Sequence, residues 1–167
     1  NMKPALLVID MQEIFFNEDP SILPSLENAA EYINAAVKMF REQDLPIIVI
    51  EDVEEGDGRV PGSPGFETSE RIQLEPSDPR IRKTYGNAFN KTELDSILSD
   101  LEVDTLILTG YEAANCVLST SRGAKDLDYR AILLRGGIAG QTPERVETVQ
   151  SWEDIISYGA LKAMLED

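Results

Sequence analysis

The apolar positions of this chain form two patterns that alternate along it. Ala5-Leu-Leu-Val-Ile9, ending at Asp10, and Ile47-Ile-Val-Ile50 are short continuous apolar runs, the pattern of strands buried on both faces. Between them, from Pro24 to Glu42, the residues Leu26, Ala29, Ala30, Ile33, Val37 and Phe40 recur every three or four positions. That spacing predicts an amphipathic helix, with Ser25 as its cap. Ile81-Arg-Lys83 predicts a brief third strand, and Thr92 to Leu101 a helix on Leu94, Ile97, Leu98 and Leu101. Thr105 to Thr109 predicts a fourth strand, closed by Gly110; Asn115 to Leu127 a helix; and Ala131 to Leu134 a fifth strand. Thr142-Pro143 then opens a last helix, whose apolar face of Val146, Val149, Trp152, Ile156, Ala160 and Met164 runs towards the C-terminus.

This alternation predicts a three-layer, doubly wound α/β fold: a mostly parallel sheet of five or six strands, helices on both faces, and a site beyond the C-terminal ends of the strands. A length of 167 residues with 42% hydrophobic composition suits a single domain over 1–167. Residues 52–79 break the rhythm with Asp57-Gly58, Pro61-Gly62 and Pro64-Gly65 turns and no sustained period. A long irregular insertion of this kind is usually functional.

Composition narrows the chemistry. Lys and Arg number 15 against 31 Asp and Glu, a formal charge of −16, which argues against nucleic acid and against anionic membrane surfaces as partners. With Cys116 alone there is no internal disulfide, and no apolar run nears the ~20 residues of a membrane span. The expectation is an intracellular, cytoplasmic chain acting on a small molecule. Histidine is absent, which removes His-ligated zinc, Ser-His-Asp triads and Cys-His dyads. Acid–base chemistry near neutral pH then falls to carboxylates, lysine or the thiol.

In such a sheet the informative residues follow the apolar runs: Asp10, Lys83 and the segment Gly110 to Cys116. A thiol in the first turn of a helix has its thiolate favoured by the helix dipole, and Lys83 as a neighbour would depress its pKa further. Asp10 could take the thiol proton and pass it on. Plainer readings stand beside these: Cys116 as a small buried hydrophobe, Asp10 as a turn cap, Lys83 with Arg82 as a solvated pair. The run Glu51, Asp52, Glu54, Glu55, Asp57 reads as a wet loop and not a metal site. Gly136, Gly137 and Gly140 lack the spacing and position of a dinucleotide fingerprint. No metal and no cofactor is expected.

Three segments together resemble the isochorismatase-like cysteine hydrolases, a superfamily of nicotinamidases, N-carbamoylsarcosine amidases and isochorismatases. They are Leu7-Val-Ile-Asp10-Met-Gln12 with Phe15; Lys83-Thr-Tyr85-Gly-Asn-Ala88-Phe89; and Thr109-Gly110-Tyr-Glu-Ala-Ala-Asn-Cys116-Val117 followed by Thr120 and Ala124. The resemblance spans nearly the whole chain. It implies Cys116 as nucleophile, Asp10 as base and proton shuttle, and Lys83 holding both in place. It also implies a cis peptide bond from Tyr111 to Glu112, with an oxyanion hole from the N–H groups of Glu112 and Cys116. A homo-oligomer, dimer or tetramer, is expected by the same resemblance. Phe15, Phe16, Tyr85, Phe89 and Tyr111 flank the motif residues and are the expected pocket walls.

The departures are specific. No histidine follows Asp52, so a metal-binding nicotinamidase is not expected. Ile14 stands where the family usually has an acid, Ala113 where it has Thr, and Gly136 where it has Asp. The leading expectation is a metal-independent hydrolase cleaving the C–N bond of a small amide or carbamoyl compound through a thioester. The alternatives are vinyl ether hydrolysis of the isochorismatase type with Asp10 as acid, and a catalytically silent binding or assembly protein on the same fold.

Overall fold

A computed structural model describes residues 1–166. Its six strands, all parallel, are β1 (Pro4–Ile9), β2 (Ile47–Asp52), β3 (Arg80–Lys83), β4 (Thr105–Gly110), β5 (Arg130–Ile138) and β6 (Ile155–Ile156). The strand order is β3-β2-β1-β4-β5-β6, so the winding direction reverses between β1 and β4. In open α/β sheets that crevice, beyond the carboxyl ends, is where ligands bind.

The apolar runs are buried on both faces because helices cover both. Alternate residues of β1 face opposite ways: Ala5, Leu7 and Ile9 pack with α3 (Leu94–Asp100), α4 (Leu118–Asp126) and α5 (Pro143–Trp152). Leu6 and Val8 pack on the other side with α2 (Leu23–Glu42), α6 (Tyr158–Glu166) and Phe16 of α1 (Glu13–Glu18). The expected doubly wound architecture is therefore present, with six strands. No helix among the described residues is long and apolar enough to cross a membrane.

Three local expectations are corrected, and one short helix was not expected. The face from Val146 to Met164 does not form one helix: α5 ends at Trp152, Ile155 and Ile156 pair with Leu133 and Leu134, and α6 starts anew with the Ser157 hydroxyl accepting from the Ala160 N–H. An apolar pair inside a helical period is equally compatible with an edge strand, which is what misleads the spacing argument. Ser25 does not cap α2; its hydroxyl accepts from the Gly140 N–H, tying α2 to the end of β5. The helix from 115 begins earlier, as a π turn over Ala113–Val117 that leads into α4. α1, six residues long, is too short to show a period. The Thr142 cap is present, accepting from the Arg145 N–H.

Gly110 closes β4 at a φ of +120°, and a Cβ there would lie 2.0 Å from the Ile9 carbonyl oxygen of the neighbouring strand. Gly110→Ala should destabilise the fold by about 3 kcal/mol or more. Gly159→Ala, with nothing within 4 Å of the added carbon, should stay within about 0.5 kcal/mol of the parent. Urea unfolding of the two variants checks the contrast.

Candidate active site

The three strand-end residues singled out from the sequence do meet. Asp10 follows β1, where its backbone turns at a φ of +53° while its N–H donates to the Ile50 carbonyl. Lys83 ends β3, and Cys116 sits in the π turn after β4. The Lys83 ammonium, fully buried, donates to Cys116 Sγ at 3.2 Å and pairs with Asp10 Oδ2 at 3.1 Å. Its third contact is Asp52 Oδ1 at 2.8 Å, at the end of β2. An ammonium has three N–H donors and no acceptor, so these three partners saturate it.

From sequence, Asp52 was read as part of an acidic run and as standing where metal-binding nicotinamidases place an acid, not as a partner of Lys83. The signal that could have found it is the one that found Asp10 and Lys83, its place at the C-terminal end of a buried strand. Its other oxygen accepts from Arg59 Nη2 at 2.7 Å and Nε at 3.2 Å, and Arg59 comes from the irregular insertion. Buried Gln12 fixes the backbone of Asp52 in both directions: its amide donates to the Asp52 carbonyl at 3.0 Å and its carbonyl accepts from the Asp52 N–H at 2.8 Å. The donor atoms of Asp10, Asp52 and Cys116 lie within 4.8 Å of one another, a spacing open to a metal. Here the Lys83 ammonium already stands among them, so we do not assign them as metal ligands.

The electrostatics differ from the expected depressed thiol. Burial pushes the Cys116 thiol up to about 12 and the Asp10 carboxylate adds to the rise, while Lys83 offsets only part of it. Desolvation likewise lifts Asp10 to about 6 against the pull of Lys83. Lys83 stays protonated: burial opposes its charge, but Asp10, Cys116 and Asp52 together raise it above the usual lysine value. The resting site near neutral pH is thus a thiol beside an ionised carboxylate, with Asp10 Oδ1 buried and without a hydrogen-bond partner.

The turn that carries Cys116 is held from behind. The peptide bond between Tyr111 and Glu112 is cis. The buried Glu112 carboxylate accepts from the N–H groups of Ala114 and Gln141 and, at 2.9 and 3.0 Å, from the Arg145 guanidinium. Val117 and Asn115 donate to the Glu112 carbonyl and Ala113 donates to Ala139. Among the described residues the Glu112 N–H has no acceptor. This anchoring role of the Glu112 side chain was not legible in sequence.

The five aromatic residues do not all come together. Phe15 and Tyr111 meet, with ring centroids 5.2 Å apart, and Arg59 lies over Phe15 at 5.2 Å. Phe16 is core, only 3% exposed, and Phe89 stacks on Tyr129, just before the N-terminal end of β5 and so away from the C-terminal strand ends. Tyr85 is exposed and accepts from Lys91. Of the departures, Ile14 packs against Gly65 of the insertion, and Ala113 is buried in the turn. Gly136 lies within β5, which extends beyond its expected end, and a side chain there would strike the Tyr32 ring.

Residues 4–160 match the family model described as the isochorismatase domain, and the chain belongs to that family of hydrolases. An uncharacterized isochorismatase family protein of Bacillus subtilis (strain 168) is 25% identical over 82% of this chain and 74% of its own length. A streptothricin hydrolase of Streptomyces noursei is 27% identical over 77% of this chain and 51% of its own. The crystal structure of an N-carbamoylsarcosine amidase from Thermoplasma acidophilum superposes with a TM-score of 0.81 at 26% identity, covering 94% of this chain and 97% of that one.

Arg145→Ala should cost on the order of 1 to 2 kcal/mol at pH 7, less than loss of a fully buried partner because Arg145 is partly exposed. Burial pushes Glu112 up, but Arg145 and the two backbone donors outweigh it and hold its carboxyl below the usual 4.5. That stabilisation is present above 4.5 and lost as pH falls through the lowered folded value. The gap between variant and parent in urea should therefore close in acid.

Proposed function

We propose that residues 1–167 act as one metal-independent cysteine hydrolase domain that cleaves the C–N bond of a small amide or carbamoyl compound. The observation that carries this reading is the Lys83 ammonium set between Asp10 and Cys116 Sγ at 3.1 and 3.2 Å. Relatives named streptothricin hydrolase and N-carbamoylsarcosine amidase support the amide class.

The steps follow from the resting protonation states. A thiol pushed up to about 12 does not ionise in advance, so its proton moves to Asp10 as Sγ bonds to the substrate carbonyl carbon. The oxygen that becomes negative is received by the N–H groups of Glu112 and Cys116. The C–N bond breaks, the amine leaves with the proton from Asp10, and the acyl group remains on Sγ as a thioester. Water then gives a proton to Asp10 while its oxygen adds to the carbonyl. The C–S bond breaks, the acid departs, and the thiol regains its proton. Lys83 keeps its own proton throughout and steadies the negative charge that moves between Asp10 and the sulfur.

A second reading has one observation in its favour. Burial lifts Asp10 to about 6, so in mild acid it carries the proton that vinyl ether hydrolysis of the isochorismatase type requires.

The two readings give opposite pH limbs. An amidase needs Asp10 ionised at the start, so kcat/KM should rise as pH increases through about 6; a vinyl ether hydrolase needs it protonated, so activity should fall through the same range. Cys116→Ala should lower amide hydrolysis by roughly a thousandfold or more with an unchanged unfolding midpoint. Hydrolysis that survives Cys116→Ala but is lost in Asp10→Asn would replace the amidase by the vinyl ether reading. A chain that turns over neither class would be a silent binding protein.

A further inference from the structure

The irregular insertion supplies a cation that no strand end provides. Arg59 grips Asp52 Oδ2 with Nη2 and Nε, while Asp52 Oδ1 holds the Lys83 ammonium. Asp52 is therefore shared between two cations, one from β3 and one from the insertion. The Arg59 side chain is only 14% exposed, and its guanidinium rests over the Phe15 ring at 5.2 Å. The backbone beside it is fixed as well: Glu54 and Arg59 form an isolated antiparallel bridge, their N–H and carbonyl groups exchanging hydrogen bonds of 2.8 and 3.0 Å. A guanidinium forked onto one carboxylate oxygen, stacked on a ring and seated on a bridged loop has few alternative positions.

We propose that Arg59 is a positioning residue of this site: by holding the outer oxygen of Asp52 it keeps the inner oxygen on Lys83, and so keeps the ammonium centred between Asp10 and Cys116. The inference rests on the hydrolase reading for its catalytic meaning, but its geometry is independent of the substrate. Three acceptors saturate Lys83, so its position depends on all three staying where they are. Asp10 is set by the end of β1 and Cys116 by the anchored turn. Of the two carboxylates the ammonium meets, Asp52 is the more exposed, 16% against 3% for Asp10, and Arg59 is the group that holds its outer oxygen. The charged and titratable groups that face Asp10 are Lys83 from β3, Asp52 from β2, Cys116 from the turn and Arg59 from the insertion. Losing Arg59 thus removes a positive charge from this group and loosens another.

The test reads the thiol directly and needs no substrate. Iodoacetamide alkylation of Cys116 is followed by intact mass across pH in the parent, Arg59→Met, Asp52→Asn, the double variant, and Arg82→Ala as a control arginine off the cluster. Arg59→Met keeps the side-chain stem over Phe15 and removes the fork. Below the thiol pKa the rate follows the thiolate fraction, so an upward shift of about one unit slows it about tenfold. Arg59→Met should slow alkylation by at least about that factor, and the same substitution made in Asp52→Asn should slow it by much less, because the carboxylate it acts through is then gone. Arg82→Ala should match the parent. Arg59→Lys, which keeps the charge without the fork, should recover part of the rate, and it carries the same cycle if Arg59→Met does not fold. An unchanged rate in the Arg59 variants, or independent multiplication of the two effects, would overturn the proposal. If the cycle behaves as expected while the parent hydrolyses no amide, the positioning role stands and the amidase reading falls alone.

Discussion

Everything at this site depends on a buried ammonium that has three donors and is given three acceptors. Lys83 carries its charge on a side chain with no solvent exposure, and an unpaired ion there would cost several kcal/mol. Asp10, Asp52 and Cys116 Sγ, at 3.1, 2.8 and 3.2 Å, make the charge tolerable by each taking one proton contact. The same arrangement fixes the positions of the two groups that would do chemistry. Stability and positioning are one requirement here, because moving any acceptor both exposes the charge and misplaces the thiol.

The fold meets that requirement by convergence. Three adjacent parallel strands, β3, β2 and β1, end side by side and deliver Lys83, Asp52 and Asp10 from neighbouring register positions, with Asp52 opposite Lys83 in the β2–β3 ladder. The thiol arrives from across the switch point between β1 and β4, on a turn whose carboxylate anchor, Glu112, is itself bound by α5 through Arg145. The irregular insertion adds Arg59 from the outside. Asp10 needs this enclosure for another reason. Burial lifts it to about 6, close to the pH at which a proton can be both accepted and returned.

The sheet was legible because its strands are buried on both faces and so appear as unbroken apolar runs, and because the rule for parallel sheets directs attention to their C-terminal ends. That reasoning reached Asp10, Lys83 and Cys116. It met Asp52 only as the place of a family metal ligand and as one of the acids in 51–57 that look like a solvated loop, whereas Glu51 and Asp52 close β2. Arg59 was illegible because a loop without a period gives no direction to its side chains. The thiol pKa was misjudged in sign: proximity of Lys83 was foreseeable, but the depth of burial that outweighs it is a tertiary property. Phe16 and Phe89 were adjacent to the motifs in sequence yet belong to the cores on opposite faces of the sheet.

The most direct test of the central claim is a carbon-13 NMR titration of the Asp10 carboxyl in the parent and in Lys83→Met. If a buried carboxylate is kept ionisable by the ammonium, Asp10 titrates near 6 in the parent and at a distinctly higher pH in the variant. An Asp10 that titrates near the ordinary 3.8, or whose titration is indifferent to Lys83, would contradict the account.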